Sequence, residues 1–253
     1  MPATLSLPST EFSHPKSYAW LYSGDSSVAH FFTTRLRIIL DLIRDYEGGK
    51  VLDVGCGPGI LIGRLAERNR VVGLDISQEM IRECAVSLRG SGSVFLTGSA
   101  EDLPLRDTTF DVVVGMGVLE YVADAHKALG EFSRVAKKGG MVVVSMLNKM
   151  SPYRLWERTG WGWTQSISKK LARRPAPHRD ELHLLSERGL RGLAESNGLE
   201  VDDVVYYDFN LFLPPLDRYM PRRAMRMNRR LEHFSSNYLK WIGTGFVVAA
   251  KKK

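Results

Sequence analysis

The sequence predicts an α/β protein in which a parallel sheet carries helices on both faces. Three observations lead there. Between residues 50 and 147, strand-like apolar runs alternate with stretches of helical periodicity. Two of those runs, "VVVG" and "MVVVS", lack polar alternation, as strands buried on both sides do. A third, "VLDVGCGPGI" at residues 51 to 60, runs straight into three glycines at alternate positions. Right-handed crossovers between parallel strands put the helices on both faces.

Residues 1 to about 26, rich in Pro, Ser and aromatics, read as an arm. "SVAHFFTTRLRIILDLIRDYEGG" has apolar residues at helical spacing and stops at Gly48 and Gly49. "KVLDV" is a strand, "GILIGRLAERN" a helix and "RVVGLDIS" a second strand. Ser77 caps the helix "QEMIRECAVSLRG", with Glu79 in its first turn. "SVFLTG" and "FDVVVGMG" are the third and fourth strands. "DAHKALGEFSRVAKKGG" is a helix closed by Gly139, and "MVVVSMLN" is the fifth strand. After residue 148 the rhythm breaks, before the helix "SERGLRGLAESNG", the strand "LEVDDVVYYDF" and the last strand "WIGTGFVVAAKK".

Composition narrows the class. The chain has 253 residues, 44% hydrophobic and 25% charged, enough for one large domain with a full core. Its apolar runs are too short to span a bilayer. The N-terminus does not read as a signal peptide. Cys56 and Cys84 form no CxxC pair, so neither a disulfide framework nor a zinc site is indicated, which suits a reducing cytoplasm. The net charge of +7 is uneven. Residues 1 to 150 balance at −1 and residues 151 to 253 at +8.

Ligands of open parallel sheets bind at the carboxyl ends of the strands, where Gly55, Gly57 and Gly59 stand. Three alternating glycines exceed the needs of a tight turn. Gly55 and Gly57 match the start of a dinucleotide GxGxxG, but Ile60 replaces its third glycine and Pro58 removes an N–H. The loop therefore suits a ligand without phosphate. Asp75, 20 residues after Gly55, ends the second strand, where a carboxylate can accept ribose hydroxyls. Asp53 lies inside the first strand and needs a partner when buried.

"VLDVGCGPG", "GLD", "GSAEDLPL", "FDVVVGMGVLEYV" and "RVAKKGG" follow in order. Over residues 48 to 147 the chain resembles the class I S-adenosylmethionine (SAM)-dependent methyltransferases of the small-molecule type. The resemblance implies a Rossmann-like, doubly wound, seven-stranded sheet whose last strand is antiparallel. It implies that Asp53, Gly55, Cys56 and Gly57 surround the methionine part of SAM, that Asp75 binds its ribose and that Ile76 packs on adenine. It also implies that Ser99, Ala100 and Glu101 reach the adenine edge and that Gly115 and Met116 flank the methionine moiety. The chain departs from the family in three places: Ser99 where aspartate is common, Tyr121 where histidine is common, and "KKGG" for lysine-proline-glycine-glycine. The resemblance also assigns residues 1–47 to an arm and helix covering the site, and 48–253 to the SAM-binding domain.

In such a fold the acceptor side is built by the arm and by the insertions at about 148–184 and 211–238. Trp156, Trp161 and Trp163 of the first suit a pocket for an apolar or planar acceptor, or a local mini-core. In the second, Met220, Ala224, Met227, Leu231, Phe234 and Tyr238 form an apolar helical stripe. Arg222, Arg226, Arg229 and Arg230 lie on its other faces. They form a solvated basic face, a clamp for an acidic substrate group led by Arg222 and Arg226, or a surface for an anionic membrane. An acceptor hydroxyl, phenol or acidic carbon calls for a base. His183, just before the helix near Ser186, is the first candidate; Tyr18 and Tyr22 in the arm follow, with His14 and His178.

The leading expectation is a cytoplasmic, SAM-dependent methyltransferase acting on O, N or C of a small, amphipathic or anionic metabolite of natural-product, quinone, lipid or isoprenoid type. No metal is required. A non-catalytic SAM-binding protein is one alternative. An RNA methyltransferase using the basic C-terminal part is another, although no Asn/Asp-Pro-Pro-Tyr/Phe stretch follows the fourth strand, which disfavours nucleic acid. The sequence sets no oligomeric state.

Overall fold

The computed structural model describes residues 15, 18, 21–23, 27–156, 182–210, 220–234 and 240–253, without the side chains of 221, 222, 233 and 234. Its strands are β1 Lys50–Val54, β2 Arg70–Asp75, β3 Val94–Thr97, β4 Phe110–Gly115, β5 Ala136–Leu147, β6 Leu199–Tyr207 and β7 Gly245–Lys252. Its helices are α1 Ser27–Leu42, α2 Ile60–Leu65, α3 Gln78–Ser87, α4 Ala125–Val135, α5 Pro152–Trp156, α6 Glu187–Ser196 and α7 Pro221–Phe234.

The strands form one sheet in the order β3-β2-β1-β4-β5-β7-β6. From β3 to β5 every pairing is parallel. β7 runs antiparallel to both of its neighbours, β5 and β6. The seven strands, the helices between them and the antiparallel last strand are those the motifs imply.

Strand alternation divides the core in two. Leu52, Val54 and Val113 face one layer, with Leu129 and Phe132 of α4 and Leu190 and Ala194 of α6. Val51, Val112 and Val114 face the other, with Ile39 of α1, Leu61 and Ile62 of α2 and Cys84 of α3. Each layer places apolar residues at helical spacing against a pleated apolar face. Caps set the helix starts: Ser77 Oγ accepts from Met80 N at 3.4 Å, and Asp124 Oδ1 accepts from His126 N at 2.9 Å and Lys127 N at 3.1 Å.

Two element ends and one helix face differ from the sequence expectation. The helix expected to run to Gly139 stops at Val135, and Ala136 already pairs with Phe110. The register then shifts, and Gly139, with φ +70°, serves that irregularity inside β5 rather than a helix end. The last strand starts at Gly245, because Lys240–Ile242 form a 3₁₀ turn. On α7, Ala224, Met225 and Asn228 are buried while Met227 is exposed, so the expected apolar stripe is rotated. Phe234 and Tyr238 of that stripe lie outside the described side chains.

Candidate active site

A cavity of about 410 Å³ lies across the carboxyl ends of the parallel strands, where β1 and β4 part in chain order. The loop after β1 forms its floor. Gly55, Gly57 and Gly59 have φ of 68°, 53° and 84°, which L side chains adopt at a cost. The turn is fixed from β2: Asp75 Oδ2 accepts from Gly57 N at 2.8 Å, and its Oδ1 accepts from Ser77 N at 2.8 Å. Burial raises the Asp75 carboxyl above its ordinary range, against these two N–H donors.

Two features of this end ask for a ligand. Ile76 is 77% exposed although it lines the cavity. Asp53 is fully buried under the loop, and neither carboxylate oxygen has a hydrogen-bond partner among the described residues. Burial, reinforced by the nearby Asp75, holds Asp53 well above the usual carboxylate range. A cationic group beside the loop answers that charge. Ser99, Ala100 and Glu101 line the same end. Ser99 Oγ accepts from Glu101 N at 3.1 Å, and Glu101 Oε1 accepts from Asp124 N at 2.7 Å, so this rim is braced against α4.

The other end is roofed by the N-terminal segment. Tyr18 Cε1 lies 3.4 Å from where a Cβ on Gly57 would sit. Phe31 and Phe32 of α1 line the wall, and the Arg35 guanidinium stacks 4.8 Å from the Phe32 ring centre. Arg35 is buried, and its Nε has no hydrogen-bond partner among the described residues. Gly117 makes room for it: a Cβ there would fall 2.5 Å from Arg35 Nη1. Glu120 and Arg154 complete this wall, both buried.

The expected site residues divide accordingly. Gly55, Gly57, Asp75, Ile76, Ser99, Ala100, Glu101 and Tyr18 line the cavity. Asp53, Cys56 and Met116 are buried outside its wall. Gly115 packs instead on Phe132, and Gly117 and Val118 take the place expected for Gly115 and Met116. A hydrogen bond with Cys84, together with burial, pushes the Cys56 thiol far above its usual range. Tyr22 stacks beside Tyr18 and Phe32 outside the wall. His183 is exposed and away from the wall, tied through its N–H to Glu120 O at 3.0 Å. Trp156 and Arg226 are exposed and also stand off the wall. Trp161, Trp163, His14, His178 and the Arg222 side chain lie outside what the structure describes.

Comparison with known proteins decides the family. Residues 52–144 match the family model described as a methyltransferase domain. A ubiquinone biosynthesis O-methyltransferase of Thiobacillus denitrificans is 32% identical over 70% of this chain and 75% of its own length. The chain belongs to the SAM-dependent methyltransferase family. A second relative of this methyltransferase, an uncharacterized 37.1 kDa protein in a transposon of Streptomyces fradiae, is 37% identical over 42% of this chain. That match spans 32% of the transposon protein's length, about a third. Among solved structures, the putative methyltransferase in a complex with the Haloferax volcanii Trm112 activator superposes with a TM-score of 0.62 at 21% identity. It covers 94% of this chain and 96% of that one, which shows the shared fold.

For this methyltransferase, sequence reasoning missed Phe31, Phe32, Arg35, Glu120 and Arg154. A signal existed for Arg35 alone. It occupies the apolar face of α1 between Phe31, Phe32 and Ile39, where a charged residue must have a reason to be buried. No helix among the described residues is long and apolar enough to cross a membrane.

Proposed function

We propose that this cavity binds SAM and transfers its methyl group to a small-molecule acceptor. The observation that carries the reading is the donor end: a positive-φ glycine loop pinned by Asp75, with Ile76 bare beside it. Bound there, SAM supplies a methyl carbon activated by a sulfonium. Asp75 keeps lone pairs for ribose hydroxyls, and Ile76 offers an apolar face to the adenine. Ser99, Ala100 and Glu101 meet the adenine edge. Arg35 supplies a cation for the methionine carboxylate, and Asp53 a negative field for the sulfonium and ammonium. The roof of Tyr18, Phe31 and Phe32 excludes water, so alignment of the acceptor does most of the catalytic work.

The relative from Thiobacillus denitrificans favours a quinone-type acceptor methylated on oxygen, and the aromatic wall agrees with it. Calorimetry tests the donor half. SAM should bind in the micromolar range, and Asp75→Ala should weaken it at least tenfold. A wild-type protein that does not bind SAM overturns the reading.

A further inference from the structure

Glu120 is a buried carboxylate in the cavity wall to which no role has yet been given. It is 2% exposed. Its backbone is held by His183 N, which donates to Glu120 O at 3.0 Å. Its Oε1 accepts from Leu147 N at 3.0 Å. Its Oε2 is buried and has no hydrogen-bond partner among the described residues. A carboxylate with one oxygen tied down and the other idle in a cavity wall is positioned to receive a donor from a ligand.

The sheet says which ligand. Asp75 ends β2, while Glu120 hangs from the last residue of β5. In the order β2-β1-β4-β5 these are three strand spacings apart, roughly 14 Å. The ribose-holding carboxylate and Glu120 therefore stand at opposite ends of the cavity. Around Glu120 the wall is aromatic and cationic. Phe31 and Phe32 give planar surfaces, and Arg35 and Arg154 bring two guanidiniums whose charge acts on Glu120.

We propose that Glu120 is the catalytic base of this site and that the acceptor is a planar, hydroxyl-bearing molecule, a phenol or enol, seated against Phe31 and Phe32. This rests on the methyltransferase reading above. Glu120 Oε2 takes the hydroxyl proton while the acceptor oxygen bonds to the methyl carbon. The carbon–sulfur bond breaks, its electron pair stays on sulfur to leave a neutral thioether, and the proton later passes to water. Arg154 stabilises the negative charge that develops on the acceptor oxygen. Burial raises the Glu120 carboxyl above its ordinary range, which strengthens it as a base, and the two arginines oppose that shift and favour its ionised form. Among the described residues Tyr207 on β6 also faces it.

Glu120→Gln separates this role from a structural one, because the amide oxygen still accepts from Leu147 N. Methyl transfer from SAM is measured with catechol and 3,4-dihydroxybenzoate as hydroxyl probes. The wild type should methylate them, with kcat/KM rising through one acid-side titration. Glu120→Gln should lower kcat by about 10²-fold or more and lose that limb, with melting temperature and SAM affinity kept. Three outcomes overturn the proposal: Glu120→Gln turnover within about threefold of wild type, a tenfold loss of SAM affinity in that variant, which moves Glu120 to the donor, or a wild type that binds SAM and methylates neither probe. Absence of SAM binding by the wild type instead overturns the methyltransferase reading on which this one stands.

Discussion

Asp53 carries the clearest conflict at the scale of a residue. Folding strips water from its carboxylate and offers neither oxygen a partner. Its folded pKa is raised by burial and by Asp75, so the native state binds the proton more tightly than the unfolded chain. The sign follows from linkage: the stabilising contribution is full below the unfolded carboxylate value near 4 and is lost as pH rises through the folded one. Asp53→Asn removes that loss. Thermal melts of the ligand-free protein should show the variant more stable than wild type at pH 7, with the gap closing toward pH 4, while its SAM affinity falls. A gap that does not change with pH would show that the ionisation of Asp53 is not its source. The same residue marks the limit of pattern reading. Its need for a partner was legible in "VLDVG", because an acid inside an apolar strand has no other justification. Glu120 was not legible, because an acid in a turn is ordinary until its burial is known.

Among the elements, α7 shows where periodicity misleads. Counting apolar residues chose a stripe through Met227, yet the helix buries a polar one. Asn228 Nδ2 donates to Asp208 Oδ1 at 2.5 Å, and Asn228 Oδ1 accepts from Phe209 N at 2.7 Å. Thr244 Oγ1 donates to the other Asp208 oxygen. Asp208 sits at φ 57° just past β6, so this triad, together with Glu232 Oε1 accepting from Asp208 N at 3.4 Å, anchors α7 to the end of the sheet. Asn228→Ala strands the Phe209 N–H and one Asp208 oxygen, both buried, at a cost of about 3 kcal/mol. Urea unfolding should show that loss, and hydrogen exchange should show α7 opening first; a change below about 1 kcal/mol would mean that the triad does not anchor the helix. The strands fared better in the sequence. A strand buried on both faces has one readable pattern, and β1, β2 and β4 display it. The end of α4 did not, because "VAKKGG" offers both a helix stop and a bulged strand, and pairing of Ala136 with Phe110 decides between them.

At the level of the whole molecule, the cavity ties distant parts of the chain together. β1 and β2 supply the donor floor, β4 and α5 the far wall, and the N-terminal segment the roof. A ligand filling it therefore stabilises the domain as a unit. S-adenosylhomocysteine at about 100 times its Kd should add about 2.7 kcal/mol and raise Tm by about 5–10 °C, as scanning calorimetry would record. A Tm that does not rise further with ligand concentration would argue that the ligand is not bound to the folded domain as a whole. This convergence is the part of the site that sequence could not show. Motifs lie along the chain in order, whereas Arg35, Glu120 and Arg154 meet only once the sheet has formed.

The position of β7 has a consequence for how the chain comes off the ribosome. β6 is synthesised first, yet its neighbour in the sheet is β7, made some 40 residues later. Until β7 arrives, β6 has no ladder to join, and β5 presents Val142, Val143 and Val144 along an open edge. A nascent or truncated chain stopped in that interval carries a bare, apolar strand able to pair with any other chain. β7 is thus the molecule's own protection against aggregation, and nonsense mutations just ahead of it should yield insoluble protein rather than a weaker enzyme.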